Sequence, residues 1–390
     1  MAVDDHDAVV RLTQQLVRIP SRGGIDSYDP VLEHLRSWLG QQGLNARRLL
    51  DSKGMTVALV CEVVGAFAGP HYVLDACLDT APFGDESAWT YPPASGRIAD
   101  GWLHGRGSAD SKAGAAIFAH IASRLHSVSS RLHGQVTVLY DVDEHTGAFG
   151  GAKSFFSGPD APHHVDGVLI GYPGLEHVVI GGRGVLRADL RLHGVASHSG
   201  GSTTTPNAIV KAAALIQALH DAGLPGAGSP VFPPPAKLTI TAITGGEGYS
   251  TVPDLCVVNV DVRLTPTWDD QAAEEMLRTC VRAVDAVWPT TAPTQVEITT
   301  RWPAYRLADD SPMKTVLLAS ARAAGLATTA KIAGPSNIGN YLAGLGIEAT
   351  AGFGVDYVGL HGTDERIRIA TIPQVQAVYH QALLALLRPA

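Results

Sequence analysis

Apolar and polar positions alternate along the chain in two distinct rhythms. Near the start, Val9, Val10, Leu12, Leu16 and Val17 recur at helical spacing and stop before Pro20, which predicts an amphipathic helix; a second is predicted over 30–39. MTVALVCEVV and HYVLDACL follow as short, β-branched apolar runs set apart by Gly and Pro, and QVTVLYDVDE and VDGVLIGYP repeat the pattern. Continuous apolar runs of this length suit strands buried on both faces. A helical stretch over 112–125 lies among them, so this half of the chain reads as alternating strand and helix around a mixed, largely parallel sheet.

From Gly184 the rhythm changes. Strand VLRADLRLHG, a helix over 206–222, strands AKLTITAITGG and LCVVNVDVRL, a helix over 271–287 and strand TQVEITT follow in the order βαββαβ, a compact unit of its own. After it come a helix over 313–324, strand EATAGFG and a final helix over 373–387. The fold class expected is α/β: a first domain of residues 1–183 and 301–390, its sheet covered by helices, interrupted by an inserted βαββαβ domain at 184–300.

Composition narrows the functional classes. A chain of 390 residues exceeds a single core and favours two domains, and 45% hydrophobic residues with 42 Gly and 24 Pro suit a globular enzyme-sized protein. A formal net charge of −8 and the lack of a dense Lys/Arg stripe argue against a nucleic-acid partner. The acidic, amphipathic segment MAVDDHDAVVRLTQQL lacks the basic and apolar regions of a signal peptide, and no run of about 18 apolar residues offers a membrane span. Four widely spaced cysteines, Cys61, Cys77, Cys256 and Cys280, do not make a disulfide framework. The expectation is a cytoplasmic, reduced protein with no membrane partner.

The candidate chemistry sits where predicted strands end, which is where open α/β sheets place their ligands. Cys77 and Asp79 follow one strand, Asp143, Glu144 and His145 a second, and Tyr172 a third. Asp110 lies in the Gly-rich loop GRGSADSKAG that opens a helix, and His361 follows GFGVDYVGL. Any one of these has a bland reading as a solvated loop residue. Their joint occurrence does not.

The ordered segments LDACLDTAPFGD with a following Trp89, DGWLHGRGSADSKAG, DVDEHTGAFGGAKSF, GVASHSGGSTTTPNAI, TVPDLCVVNVDVR and LHGTDERI resemble the zinc-dependent aminoacylase, acetylornithine deacetylase, succinyl-diaminopimelate desuccinylase and carboxypeptidase G family, over roughly residues 8–388. The resemblance implies a catalytic domain holding two zinc ions and an inserted lid domain that often dimerises, hence a homodimer acting on a small amide. It assigns Asp110 as the bridging aspartate, His361 as the C-terminal histidine ligand and Glu144 as general base. It also assigns His198, in ASHSG, as the donor to the oxyanion, often to a neighbouring subunit's site. Arg263 resembles a residue that holds substrate carboxylate, a task suited to the guanidinium fork. Asn207, and Ser336 and Asn337 of the GPSNIG turn at 334–339, are placed toward substrate by the same analogy.

Three positions depart from the family. Its His-x-Asp motif reads Cys77-Leu78-Asp79, its second adjacent glutamate is His145, and its later acidic ligand is Tyr172. Asp110, His145 and His361 still make a sufficient set for one catalytic zinc, or for cobalt or manganese. A site of Cys77, Asp110 and Tyr172 depends on a neutral phenol with a pKa near ~10, a poor ligand. The expectation is therefore one metal per chain, with Cys77 and Tyr172 beside the neighbouring position and Tyr172 among the substrate-binding residues. Glu144 then moves the proton in hydrolysis of an N-acyl amino acid, dipeptide or related small amide, with Asp79 and His198 completing the catalytic set. Two readings compete with it: Cys77 as a nucleophile in acyl transfer or condensation, and a catalytically silent binding protein that keeps the pocket.

Overall fold

The computed structural model describes residues 2–225, 228–350 and 352–388. The chain divides into two compact units, one of residues 1–180, 307–331 and 345–390, the other of residues 181–306 and 332–344.

In the first unit, α1 (Ala2–Val17) and α2 (Asp29–Gln41) precede strands β1 (Ala46–Leu50), β2 (Thr56–Val64) and β3 (Phe67–Asp75). α1 buries Val9, Leu12, Leu16 and Val17, the stripe expected from the sequence. The short strands β4 (Arg97–Ala99) and β5 (Trp102–His104) come next, then α3 (Ala113–His126), β6 (His133–Asp141), α4 (Gly150–Ser157) and β7 (Gly167–Ile170). The main sheet has five strands in the order β1-β2-β6-β3-β7. It is mixed: β3 runs parallel to both β6 and β7, whereas β1/β2 and β2/β6 are antiparallel. The parallel share is smaller than the apolar runs suggest, because β2 and β3 are joined only by Gly65 and Ala66 and run as a hairpin would, yet β6 lies between them. The junction is held by Gly65 N–H to Gly134 O at 2.8 Å and Phe67 N–H to Leu132 O at 3.2 Å. Core positions on β2, β3, β6 and β7, such as Leu59, Leu74, Leu139 and Leu169, are fully buried.

The second unit begins in β8 (His177–Gly182) and continues through β9 (Gly184–His193), β10 (Ser197–His198), α5 (Ala208–Asp221), β11 (Lys237–Gly245), β12 (Thr251–Val252), β13 (Leu255–Leu264), α6 (Asp270–Asp285), β14 (Gln295–Trp302) and β15 (Tyr305–Arg306). Four strands in the order β11-β13-β9-β14, all antiparallel, form its sheet, the arrangement of a ferredoxin-like βαββαβ unit. Alternate residues of β9 and β13, among them Leu186, Leu190, Val258 and Val262, pack with Leu215 of α5 and Leu277 of α6 into one core.

The remaining elements are α7 (Pro312–Ala323), β16 (Thr329–Ala333), α8 (Ile338–Gly344), β17 (Tyr357–Val358), β18 (Arg366–Arg368) and α9 (Ile372–Leu386). Residues 332–344 belong to the second unit, fastened by the Asn340 amide, which donates to the carbonyls of Arg183 at 3.0 Å and Pro303 at 2.8 Å. In the first unit α1, α3 and α9 pack on one another, and α7 packs on α9. The strand expected over EATAGFG is not formed among the described residues. Ala349 bridges Val168 and Gly352 bridges Val179, and the left-handed backbone of Gly352 (φ 145°) turns the chain between these partners; Ala351 lies outside the described residues. Two features absent from the sequence reading are α4 and a four-stranded sheet, β17-β18-β5-β4.

Candidate metal centre

Parallel pairing brings the centre together. Because β6, β3 and β7 run the same way, the loops after their C-terminal ends emerge on one side of the sheet, carrying Cys77 and Asp79, Glu144 and His145, and Tyr172. Asp110 and His361 arrive through the small sheet. Antiparallel β5 and β18 pair His104 with Arg366, so the segments 105–110 and 361–365 leave the same end of that pair, and Gly105 N–H donates to Glu365 O at 2.9 Å. Lys112, fully buried, ties the following turn to α1 by donating from Nζ to Leu16 O at 3.0 Å and Ile19 O at 2.8 Å. Burial brings its pKa down to about 7.

Asp110 is central. Its Oδ2 lies 2.8 Å from His361 Nε2 and 3.4 Å from His145 Nε2, while Oδ1 lies 3.7 Å from Cys77 Sγ. Burial opposes its charge, but the two imidazoles outweigh burial and hold the carboxyl below its ordinary range. His145 answers in kind: burial disfavours its charge, yet Asp110 and Asp79 push its pKa up to about 11. The two imidazole rings meet edge to face with centroids 5.1 Å apart. His361 adopts a left-handed backbone (φ 58°), uncommon for a residue with a side chain. Its carbonyl accepts from Arg106 Nη2 at 3.2 Å.

Burial pushes the other acids and the thiol upward. Burial, reinforced by Asp110 and Asp141, raises Glu144 well above the usual carboxylate range. Beneath it stand Asp75 and Asp141, both buried and both raised by burial, each with an Oδ1 that has no hydrogen-bond partner among the described residues. Cys77 is 2% exposed, and its Sγ lies 3.3 Å from Ser111 Oγ; burial and then Glu144, Asp110 and Asp79 push its thiol up. Tyr172 is raised in the same way, so it presents a neutral phenol.

The donor set fits a divalent ion. One ligand atom each from Asp110, His145 and His361 lie within 4.8 Å of one another, and so do atoms of Cys77, Asp79 and His145. The first group offers a carboxylate and two imidazoles, the hard and borderline donors of a catalytic site with room left for substrate. The second shares His145 with it and relies on a protonated thiol.

Two residues outside the sequence-derived set hold the first group in place. Arg106 and Glu365 form a buried ion pair of 2.6 Å, and Glu365 also accepts the Ala109 N–H at 2.9 Å. Both lie in segments singled out for their neighbours. The overlooked signal is a charged residue within a run of small or ligand residues, which must find a partner once buried.

In the second unit the expected substrate contacts fall into separate groups. Arg263 Nη1 donates to Ser336 Oγ at 3.1 Å, while Nε lies 2.7 Å from Asp261 Oδ1, so its charge is already balanced by that carboxylate. Asn207 caps α5, its Oδ1 accepting from Ile209 N at 2.8 Å, and Asn337 Oδ1 accepts from Gly339 N at 2.9 Å at the start of α8. His198 is exposed on β10, and the Gly200 N–H donates to its Nδ1 at 3.0 Å, which leaves the proton of the neutral ring on Nε2.

Residues 73–385 match the model of peptidase family M20/M25/M40. The chain is similar to a succinyl-diaminopimelate desuccinylase of Paracoccus denitrificans (strain Pd 1222), 27% identical over 286 residues, which are 71% of this chain and 72% of that one. Its structure resembles a tripeptidase from Staphylococcus aureus subsp. aureus Mu50 with a TM-score of 0.76, 19% identity, and coverage of 98% and 99%. It also resembles a dinuclear metal-binding peptidase of family M20 from Bacillus subtilis, with a TM-score of 0.73, 16% identity and 98% coverage of each chain.

Proposed function

We propose, from the premise that this chain belongs to peptidase family M20/M25/M40 and is a metal-dependent hydrolase of amide bonds in small substrates, that it cleaves an N-acyl amino acid, dipeptide or related small amide at the Asp110–His145–His361 centre. The observation that carries this reading is that ligand atoms of Asp110, His145 and His361 lie within 4.8 Å of one another, with the Glu144 carboxyl beside them among the buried carboxylates. Asp110, His145 and His361 would hold one zinc per chain, which when bound would supply Lewis acidity to the scissile carbonyl and to water. Cys77 and Tyr172, both protonated, line the neighbouring position and do not hold a second ion tightly.

Glu144 is the proton carrier. Its carboxylate takes a proton from the attacking water and passes it to the leaving amine nitrogen; burial and the neighbouring Asp110 and Asp141 raise it above the ordinary carboxylate range, which strengthens it as a base. His198 donates from Nε2 to the developing oxyanion, supported by the Gly200 hydrogen bond to its other ring nitrogen. By the family resemblance Arg263, with Ser336, Asn337 and Asn207, orients the substrate carboxylate; Arg263 meets Ser336 through Nη1 while its Nε pairs with Asp261.

A homodimer through the second unit is part of the proposal. Among the described residues strand β11 pairs on one side, with β13, and Ile243 and the neighbouring Tyr249 stand exposed, an open edge of the kind that pairs with another chain. A cytoplasmic setting is supported by four free, buried cysteines. No helix among the described residues is long and apolar enough to cross a membrane.

The test is Glu144→Gln, assayed on N-succinyl and N-acetyl amino acids and dipeptides. Turnover should fall about 10²-fold or more with fold and metal content kept. Near-unchanged turnover would remove Glu144 from the mechanism.

A further inference from the structure

Asp79 is fully buried, and both of its carboxylate oxygens face the segment that carries Glu144 and His145. Oδ1 accepts the Glu144 N–H at 3.2 Å and Oδ2 accepts the His145 N–H at 2.9 Å. The same Oδ2 lies 3.4 Å from His145 Nδ1, while the opposite ring nitrogen, Nε2, lies 3.4 Å from Asp110 Oδ2. His145 has a side chain only 6% exposed, and its Nδ1 has no hydrogen-bond partner among the described residues. The loop at Gly23 closes over this pair: a Cβ there would stand 3.2 Å from His145 Cβ and 3.3 Å from Asp79 Oδ2.

We propose that Asp79 is the positioning residue for His145, fixing the imidazole with Nδ1–H turned to its own carboxylate and Nε2 presented to the metal shared with Asp110 and His361. The inference rests on the reading of His145 as a metal ligand. A ring caught between two carboxylates has its plane set by them, and once Nε2 is ligated the remaining proton can only sit on Nδ1. A separation of 3.4 Å is longer than an ordinary N–H···O bond, so on this proposal the ring has to close on Asp79 when the metal binds. A carboxylate behind a metal-bound imidazole fixes its tautomer and raises its basicity. The competing arrangement puts a second ion among Cys77, Asp79 and His145 Nδ1. It would require a doubly ligated imidazolate and an ionised thiol.

Nitrogen-15 NMR of the zinc-loaded wild-type chain with labelled histidine, assigned against His145→Gln, reads the tautomer without relying on the folding of an Asp79 variant. The expected spectrum has His145 protonated at Nδ1 and ligated at Nε2. A metal on Nδ1, or on both nitrogens, overturns the proposal. Asp79→Asn, which keeps the acceptor oxygen but lacks the charge, should raise the zinc dissociation constant about 10- to 100-fold and loosen the Nδ1–H signal. A folded Asp79→Asn chain that binds zinc as tightly as the wild type, with the same His145 signals, also overturns it. Undiminished zinc affinity in His145→Gln would instead bring down the underlying ligand reading.

Discussion

Arg106 and Glu365 face each other at 2.6 Å with side chains 3% and 0% exposed, and through them the two loops of the metal centre become one object. Glu365 holds the Ala109 N–H beside Asp110, and Arg106 holds the carbonyl of His361. Glu365→Gln leaves a buried guanidinium uncompensated, so stability should fall by about 3–5 kcal/mol. Denaturant unfolding of the metal-free chain measures that loss. Zinc competition should show affinity weakened by about 10- to 100-fold, because Asp110 and His361 lose their common support.

Metal and proton compete for His145. Its pKa of about 11 in the metal-free chain means that the ring is charged at neutral pH, and ligation needs it neutral. The raised pKa stabilises the proton-bound form below that value, so apparent zinc affinity should rise with pH by about tenfold per unit between about pH 6 and 9. Calorimetry in buffers of different ionisation enthalpy should find about one proton released from His145 per metal. A flat pH profile with no proton release would show that His145 is not a ligand.

Cys77→Ser should keep the metal and most of the activity. The thiol is buried and pushed up, and serine preserves the contact to Ser111 and Asp110 without adding charge. Loss of all turnover with metal still bound would favour a nucleophilic thiol instead.

His198→Ala and Glu144→Gln subunits, each inactive alone, should regain partial activity when mixed, if His198 serves the partner's site. The exposed placement of His198 on β10 motivates the experiment. Failure to complement in a verified mixed dimer would confine His198 to its own chain or remove it from catalysis.

Much of this was legible in the sequence, for physical reasons. Helical periodicity gave α1 and α9 to within a few residues, since burying one stripe fixes both length and face. The strand-end positions of Cys77, Asp79, Glu144, His145 and Tyr172 followed from apolar runs alone, and parallel pairing of β3, β6 and β7 explains why they meet. What the pattern could not convey was long-range pairing. β4, β5, β17 and β18 are two or three residues each, too short for periodicity to register, yet they carry Asp110 and His361 to the centre. The mutual dependence of Arg106 and Glu365 spans 259 positions and becomes visible only in three dimensions. The EATAGFG segment failed as a strand because Gly352 turns it where its apolar pattern suggested continuation.

The most direct test of the account is metal analysis of the wild-type chain purified without added zinc, beside His145→Ala and Cys77→Ser. The account predicts about one tightly held equivalent per chain in the wild type and in Cys77→Ser, and none in His145→Ala. Two equivalents in the wild type, falling to one in Cys77→Ser, would contradict it and make the thiolate a working ligand.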